Sequence, residues 1–491
     1  MNYNVKVFLS YYLPVTVLLL ALRYYLVGQA AFPDYDSVRN WEIVQEVAQG
    51  KFQNVFHHRS PAFFLFYSLF VPLITDFHQY IYINALFGIA ALLVLVKFTR
   101  EVLGLKPWEA ALMLLLIGSC VFLTYSGRFF TIESPSLLIF ILVLKTYYYR
   151  FLEHSRKKLY QTLLLVALGL ALNYKFLSLL PVALVLEVIF RDGVLNLRTA
   201  AAGFLILISP YLFFALFSVA VGLPFYQFPA TYSGMVNFTA KNPAQRSGKF
   251  QADFFYYFKY LFYFESPLVW AGLLGAVLAL NDAFKKSFNL YGFLGWVCCA
   301  ILLGMSLLLK APRGLLFVYP LLYLFAFLTL RHYISSNRIF IPLILGSVVY
   351  NLYRLEQEVY SYSKTSYDDV ARYLQVNQVN KIAGTVSLGL KPYLPAGYAY
   401  EVVLKDQDLN TLKEKGFRYV LADDYRKVTN IKEFDYLEKQ PAVIGFKEPW
   451  WQSKLIYLEH SEFTGLGFEE TLALRKEALS DTFQLRLVKI P

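Results

Sequence analysis

The sequence predicts a multi-pass α-helical membrane protein of about 11 transmembrane helices, followed by a soluble C-terminal α/β domain. Three observations predict it. Hydrophobic residues make up 57% of the chain and charged residues 16%, with a mean hydropathy of +0.45, whereas a soluble domain carries about 25% charge. Apolar runs of span length recur along residues 1–353. From Arg354 onward, ordinary charge density returns, with 19 basic against 20 acidic residues.

The charge surplus belongs to the membrane part. Of 46 basic and 34 acidic residues in all, residues 1–353 hold 27 and 14. No basic run or RNA-binding motif accompanies this surplus, so it points to membrane topology, where cytoplasmic loops are rich in Lys and Arg, and not to nucleic acid. Cys120, Cys298 and Cys299 all lie in apolar runs and read as small core residues without disulfide or metal spacing.

Apolar runs fall near 7–28, 79–98, 109–127, 130–150, 159–174, 175–191, 199–221, 266–281, 289–309, 314–330 and 339–353. The first has no small-residue cleavage site and reads as a retained helix. Compact basic clusters (Lys97, Arg100 and Lys106; Arg150, Arg156, Lys157 and Lys158; Arg191 and Arg198; Lys285 and Lys286; Arg331 and Arg338) mark the cytoplasmic side. An odd number of spans then places loops 29–78 and 222–265, and the C-terminal domain 354–491, on the external (periplasmic) face of an inner membrane.

Loop 29–78 contains an amphipathic stretch, with Val38, Trp41, Val44 and Ala48 opposite Arg39, Glu42, Glu46 and Gln49. Residues 62–74 form an apolar run too short to span. Both are expected to be helices on the membrane surface. In the tail, Tyr367–Val376 and Leu409–Lys415 read as helices, and Ile382–Ser387, Arg418–Ala422 and Phe483–Val488 as strands. No phosphate-binding glycine motif or catalytic triad is present there.

With only 14 carboxylates in the membrane part, each can be weighed. Glu109 and Asp192, beside cytoplasmic basic residues, read as solvated loop charges, and Glu187 as a group reaching the interface. Asp34 and Asp36 follow the first span directly. They suit a general base or an oxygen site for a divalent cation, while Asp36 or Ser37 equally suits the cap of the following helix. His58 and Arg59 can hold phosphate or form an interfacial cluster. Glu133 can pair with Arg128 across an external turn. Lys310 and Arg313 can neutralise an anionic lipid head group or anchor a span end. Lys175, in Asn173-Tyr174-Lys175, sits between two apolar runs near the same face. Charged groups thus gather at one boundary, with few at mid-span, which fits a lipid-linked substrate better than a soluble solute.

This order of features resembles the membrane glycosyltransferases of the C-type (GT-C) fold, especially glycosyltransferase family 39 and its bacterial relatives, among them protein O-mannosyltransferases and the aminoarabinose transferase of lipid A. The residues that carry the resemblance are Asp36-Ser37 opening an amphipathic helix that ends at Gly50, His58-Arg59-Ser60-Pro61 before a short helix, Arg128 with Glu133, and Lys310-Ala311-Pro312-Arg313 before Tyr319-Pro320. Many members carry Asp-Glu where this chain has Asp36-Ser37, and some carry Glu where it has His58 and Arg59.

The resemblance implies transfer of a sugar from a polyprenyl-phosphate donor to a hydroxyl of a protein, lipid or glycan acceptor on the external face, with inversion. Asp36 would be the base, with Asp34 able to substitute, and His58, Arg59, Lys310 and Arg313 would hold the lipid phosphate. The closest members of that family look metal-independent, while Asp34 and Asp36 allow a divalent cation, so no cofactor is assigned. A lipid-linked saccharide flippase and a non-catalytic envelope assembly protein are the rival expectations.

Overall fold

A computed structural model describes residues 3–30, 32, 35–57, 61–190, 192–236, 250–283, 288–479 and 484–490. Each of the apolar runs contains a helix, and five helical segments among the described residues have the length and hydropathy of a span: Val5–Gln29, His78–Leu103, Glu133–Leu152, Leu197–Ala220 and Asn337–Val376. Others are shorter, including Pro107–Gly118, Leu268–Asn281 and Leu290–Met305. The expected single span at 109–127 is broken: one helix ends at Gly118 and another runs Val121–Ser126. The buried carboxylate of Glu265 accepts the backbone N–H groups of Val121 at 3.1 Å and Phe122 at 2.9 Å. A distant carboxylate therefore caps the second helix.

Close packing in the bundle depends on small residues. A Cβ added at Gly272 would lie 2.0 Å from the carbonyl oxygen of Leu322. Helices Leu268–Ala283 and Tyr319–Tyr333 can approach this closely only with glycine at that point.

Several charges are more deeply buried than their positions suggest. Glu109 pairs with Arg331 at 2.9 Å. Glu187 pairs at 2.6 Å with Arg150, a fully buried arginine that also binds Asp192. These carboxylates are not solvated, because each neutralises an arginine that fastens two helix ends together.

The C-terminal segment forms a five-stranded sheet in the order β2-β1-β3-β5-β4. Its strands are β1 (Lys381–Thr385), β2 (Ala399–Val403), β3 (Tyr419–Asp423), β4 (Ala442–Lys447) and β5 (Gln484–Lys489). β1 is parallel to β2 and β3, whereas β5 is antiparallel to β3 and β4. The helices expected at 367–376 and 409–415 and the three expected strands all form; β2 and β4 are additional.

This segment clamps the chain that follows the first span. The Thr365 N–H donates to the Gln29 carbonyl at 3.0 Å, and the Tyr393 hydroxyl to the Ala30 carbonyl at 3.2 Å. Lys391 pairs with Glu42. Glu42 was expected on a solvent face, but the tail covers it and leaves it 6% exposed. The short helix Pro61–Ser68 buries Pro61, Phe63, Phe64 and Tyr67 against the body, while Phe66 and, just beyond it, Leu69 and Leu73 stay exposed.

The clamp has a pH signature. Glu448 accepts from the Thr365 hydroxyl and the Ser366 N–H, both at 2.9 Å, and burial pushes its carboxyl up to about 8. The folded state thus keeps a proton that the unfolded chain releases, so stability falls as pH rises from about 4.5 to about 8. Glu448→Gln should flatten that part of the profile of unfolding temperature against pH. An unchanged slope would remove Glu448 as its source.

Candidate active site

The cleft assembles at the end of the bundle where the C-terminal segment sits. Asp36 lies in the first turn of helix Tyr35–Ala48, where the helix dipole favours a carboxylate. Glu133 opens helix Glu133–Leu152. Asn173 ends helix Arg156–Leu172, and its side chain accepts the Lys175 N–H at 3.0 Å, turning the chain into Tyr174–Ser178. Arg313 lies in the turn Pro312–Leu315, made rigid by Pro312. Four chain-distant elements thus deliver Asp36, Glu133, Lys175 and Arg313 to one cleft of about 100 Å³, together with Asn40 and Glu462.

Arg313 is its centre. Its guanidinium lies 3.4 Å from Asp36, 3.5 Å from Glu462 and 3.7 Å from Glu459. Its backbone N–H donates to Glu459 at 3.0 Å, and its carbonyl accepts from the Lys175 ammonium at 3.0 Å. Asn40 is fixed by donating to the Phe130 carbonyl at 3.0 Å. The Asp36 side chain remains 41% exposed, so an entering molecule can reach it.

Glu459 and Glu462 come from the C-terminal segment. Burial pushes the Glu459 carboxyl up to about 8, against the opposing pull of Arg313. Between them, burial holds His460 down to about 4. Its Nδ1 lies 2.7 Å from the Ile456 carbonyl and its Nε2 2.6 Å from the Tyr425 hydroxyl. A carbonyl can only accept, so Nδ1 carries the proton and Nε2 accepts from Tyr425. His460 therefore positions the segment and does not face the cleft as a cation.

Other expected site residues are placed differently. Lys310 is 2% exposed and donates to the carbonyls of Gln251 and Leu308; it is not among the residues lining the cleft. Arg128 does not pair with Glu133. It donates to the carbonyls of Arg23 and Tyr25 and, at 3.0 Å, to the Ser363 hydroxyl. Asp34, His58 and Arg59 lie outside the described residues. No group of three or more His, Cys, Asp or Glu side chains among the described residues is placed to hold a metal ion.

No protein-family model matches the chain, and no curated protein matches its sequence. Its structure, however, matches a crystal structure of ArnT from Cupriavidus metallidurans bound to undecaprenyl phosphate. The match covers 83% of this chain and 89% of that one at a TM-score of 0.55 and 15% identity. The fold is that of the GT-C membrane glycosyltransferases. In this GT-C body the cleft lies between the helical bundle and the C-terminal segment, and both parts contribute carboxylates to Arg313.

Proposed function

We propose that the protein transfers a sugar from a polyprenyl-phosphate donor to an acceptor hydroxyl on the external face of the membrane. One observation carries this reading: a reachable carboxylate, Asp36, stands 3.4 Å from Arg313 in a cleft that also holds Lys175. That arrangement pairs a proton acceptor with cations suited to a departing phosphate.

In the proposed step, Asp36 takes the proton of the acceptor hydroxyl as its oxygen attacks the anomeric carbon. The bond from that carbon to the phosphate oxygen breaks, and the electron pair leaves on the lipid phosphate. Arg313 and Lys175 stabilise the negative charge gathering there. A single displacement inverts the anomeric centre.

Two further features support a lipid donor. An apolar cavity of about 520 Å³ starts at Leu179, four residues from Lys175, and runs along Val182 and Leu186 as far as Glu187. Its apolar lining suits an isoprenoid tail. The helix that opens at Glu133 in the cleft ends near Arg150, so the basic turns lie at the far end of the bundle. By the charge rule this supports a cleft on the external face.

Membranes containing the chain, supplied with radiolabelled sugars on polyprenyl phosphate, are expected to show donor-dependent transfer. Absence of transfer with pentose and hexose donors alike, alongside undiminished binding of undecaprenyl phosphate, would overturn the assignment in favour of a carrier role.

A further inference from the structure

The arginine at the centre of the cleft is already occupied by carboxylates. Arg313 faces Asp36 at 3.4 Å, Glu462 at 3.5 Å and Glu459 at 3.7 Å. A guanidinium presents a planar fork to an oxyanion, so a phosphate that meets the Nε edge of Arg313 competes there with the carboxylate of Glu462. Among the described residues lining the cleft, the carboxylates Asp36, Glu133 and Glu462 outnumber the cations Lys175 and Arg313. A phosphate entering with all three in place would meet net negative charge.

How each group is held decides which one yields. Glu459 is tied to the Arg313 backbone N–H at 3.0 Å and does not line the cleft. Asp36 is set by helix Tyr35–Ala48, which the tail clamps through Glu42 and Lys391. Glu462 lines the cleft from a single turn, Ser461–Thr464, which Gly465 closes at φ 70°. Ser461 pins that turn by donating to the Lys310 carbonyl at 2.6 Å and by its hydrogen bond to the Tyr256 hydroxyl at 2.7 Å. The backbone therefore stays in place, and it is movement of the Glu462 side chain that opens the cleft side of the Arg313 Nε edge.

Building on the donor reading above, we propose that Glu462 holds the place of the lipid phosphate on Arg313 and is exchanged for it when the donor enters. The C-terminal segment thereby supplies an internal competitor. It lowers the affinity for any polyprenyl phosphate, and its return after transfer helps to expel the spent lipid phosphate, a step that sets turnover in many enzymes.

The test is a titration of the full-length protein in detergent with sugar-free undecaprenyl phosphate, read by a direct binding signal. Glu462→Gln is expected to bind about tenfold more tightly than the unaltered chain. Glu462→Asp, whose shorter carboxylate withdraws from Arg313, is expected to fall between them and gives the answer if the Gln variant does not fold. Inorganic phosphate in parallel shows how much of the change belongs to the head group alone. Equal or weaker lipid binding by the Glu462 variants overturns the placeholder. If the unaltered chain does not bind the lipid phosphate, or Arg313→Ala binds it equally well, the donor reading fails first.

Discussion

Asp36→Asn should lower the turnover of sugar transfer by about 10²–10⁴-fold, the usual contribution of a positioned general base. Asparagine keeps the size of the side chain and can still accept a hydrogen bond from Arg313, but it cannot take the acceptor proton at neutral pH. Donor binding should survive, because the substitution removes a negative charge 3.4 Å from the arginine assigned to the phosphate. The diagnostic result is therefore a fall in kcat with a donor KM that is unchanged or lower. Turnover near the original value would eliminate Asp36 as the base. A parallel loss of donor binding and thermal stability would instead make it a structural partner of Arg313.

The largest expected effect on stability belongs to Glu265→Ala. This carboxylate is 1% exposed. It accepts two backbone N–H groups, from Val121 and Phe122, and the Tyr323 hydroxyl at 2.7 Å. Truncation leaves those N–H groups without an acceptor in an apolar interior, at a cost of about 3 kcal/mol. The damage should spread to the cleft, since helix Val121–Ser126 leads directly to the turn that presents Glu133. A clear drop in the unfolding temperature of detergent-solubilised protein is expected, with Glu265→Gln restoring part of it. An unchanged unfolding temperature would show that the break at Ser119 and Cys120 is held by packing alone.

The membrane bundle was readable because lipid imposes a simple rule, and uninterrupted apolar runs became helices. The break between Gly118 and Val121 was not readable, because its cause is Glu265, far away in the chain. Strands β1, β3 and β5 show apolar patterns because they form the middle of the sheet. Strands β2 and β4 are its edges, and β4 is largely exposed, so neither has a clean buried face to reveal it. In the cleft, Asp36, Glu133, Lys175 and Arg313 stood out as charges at the ends of apolar runs. Lys310 carried the same signal and turned instead to carbonyls, which local sequence does not distinguish. Glu459 and Glu462 sit in a tail with 20 acidic residues, where nothing marks two of them as facing a membrane-borne arginine.

The sheet order also governs when the C-terminal sheet can form in full. β5 lies between β3 and β4, although it follows both in the chain. Until residues 484–489 have been synthesised and paired with β3, β3 ends the sheet on that side and β4 has no strand to join. The turn carrying Glu459 and Glu462 also lies between β4 and β5 in the chain, but its anchors, Tyr256, Lys310 and Arg313, precede it. A polypeptide cut short before β5 thus keeps its helices and the parallel strands β1–β3 but leaves β4 without a neighbour. The C-terminal sheet is therefore completed by the strand that is made last of its five.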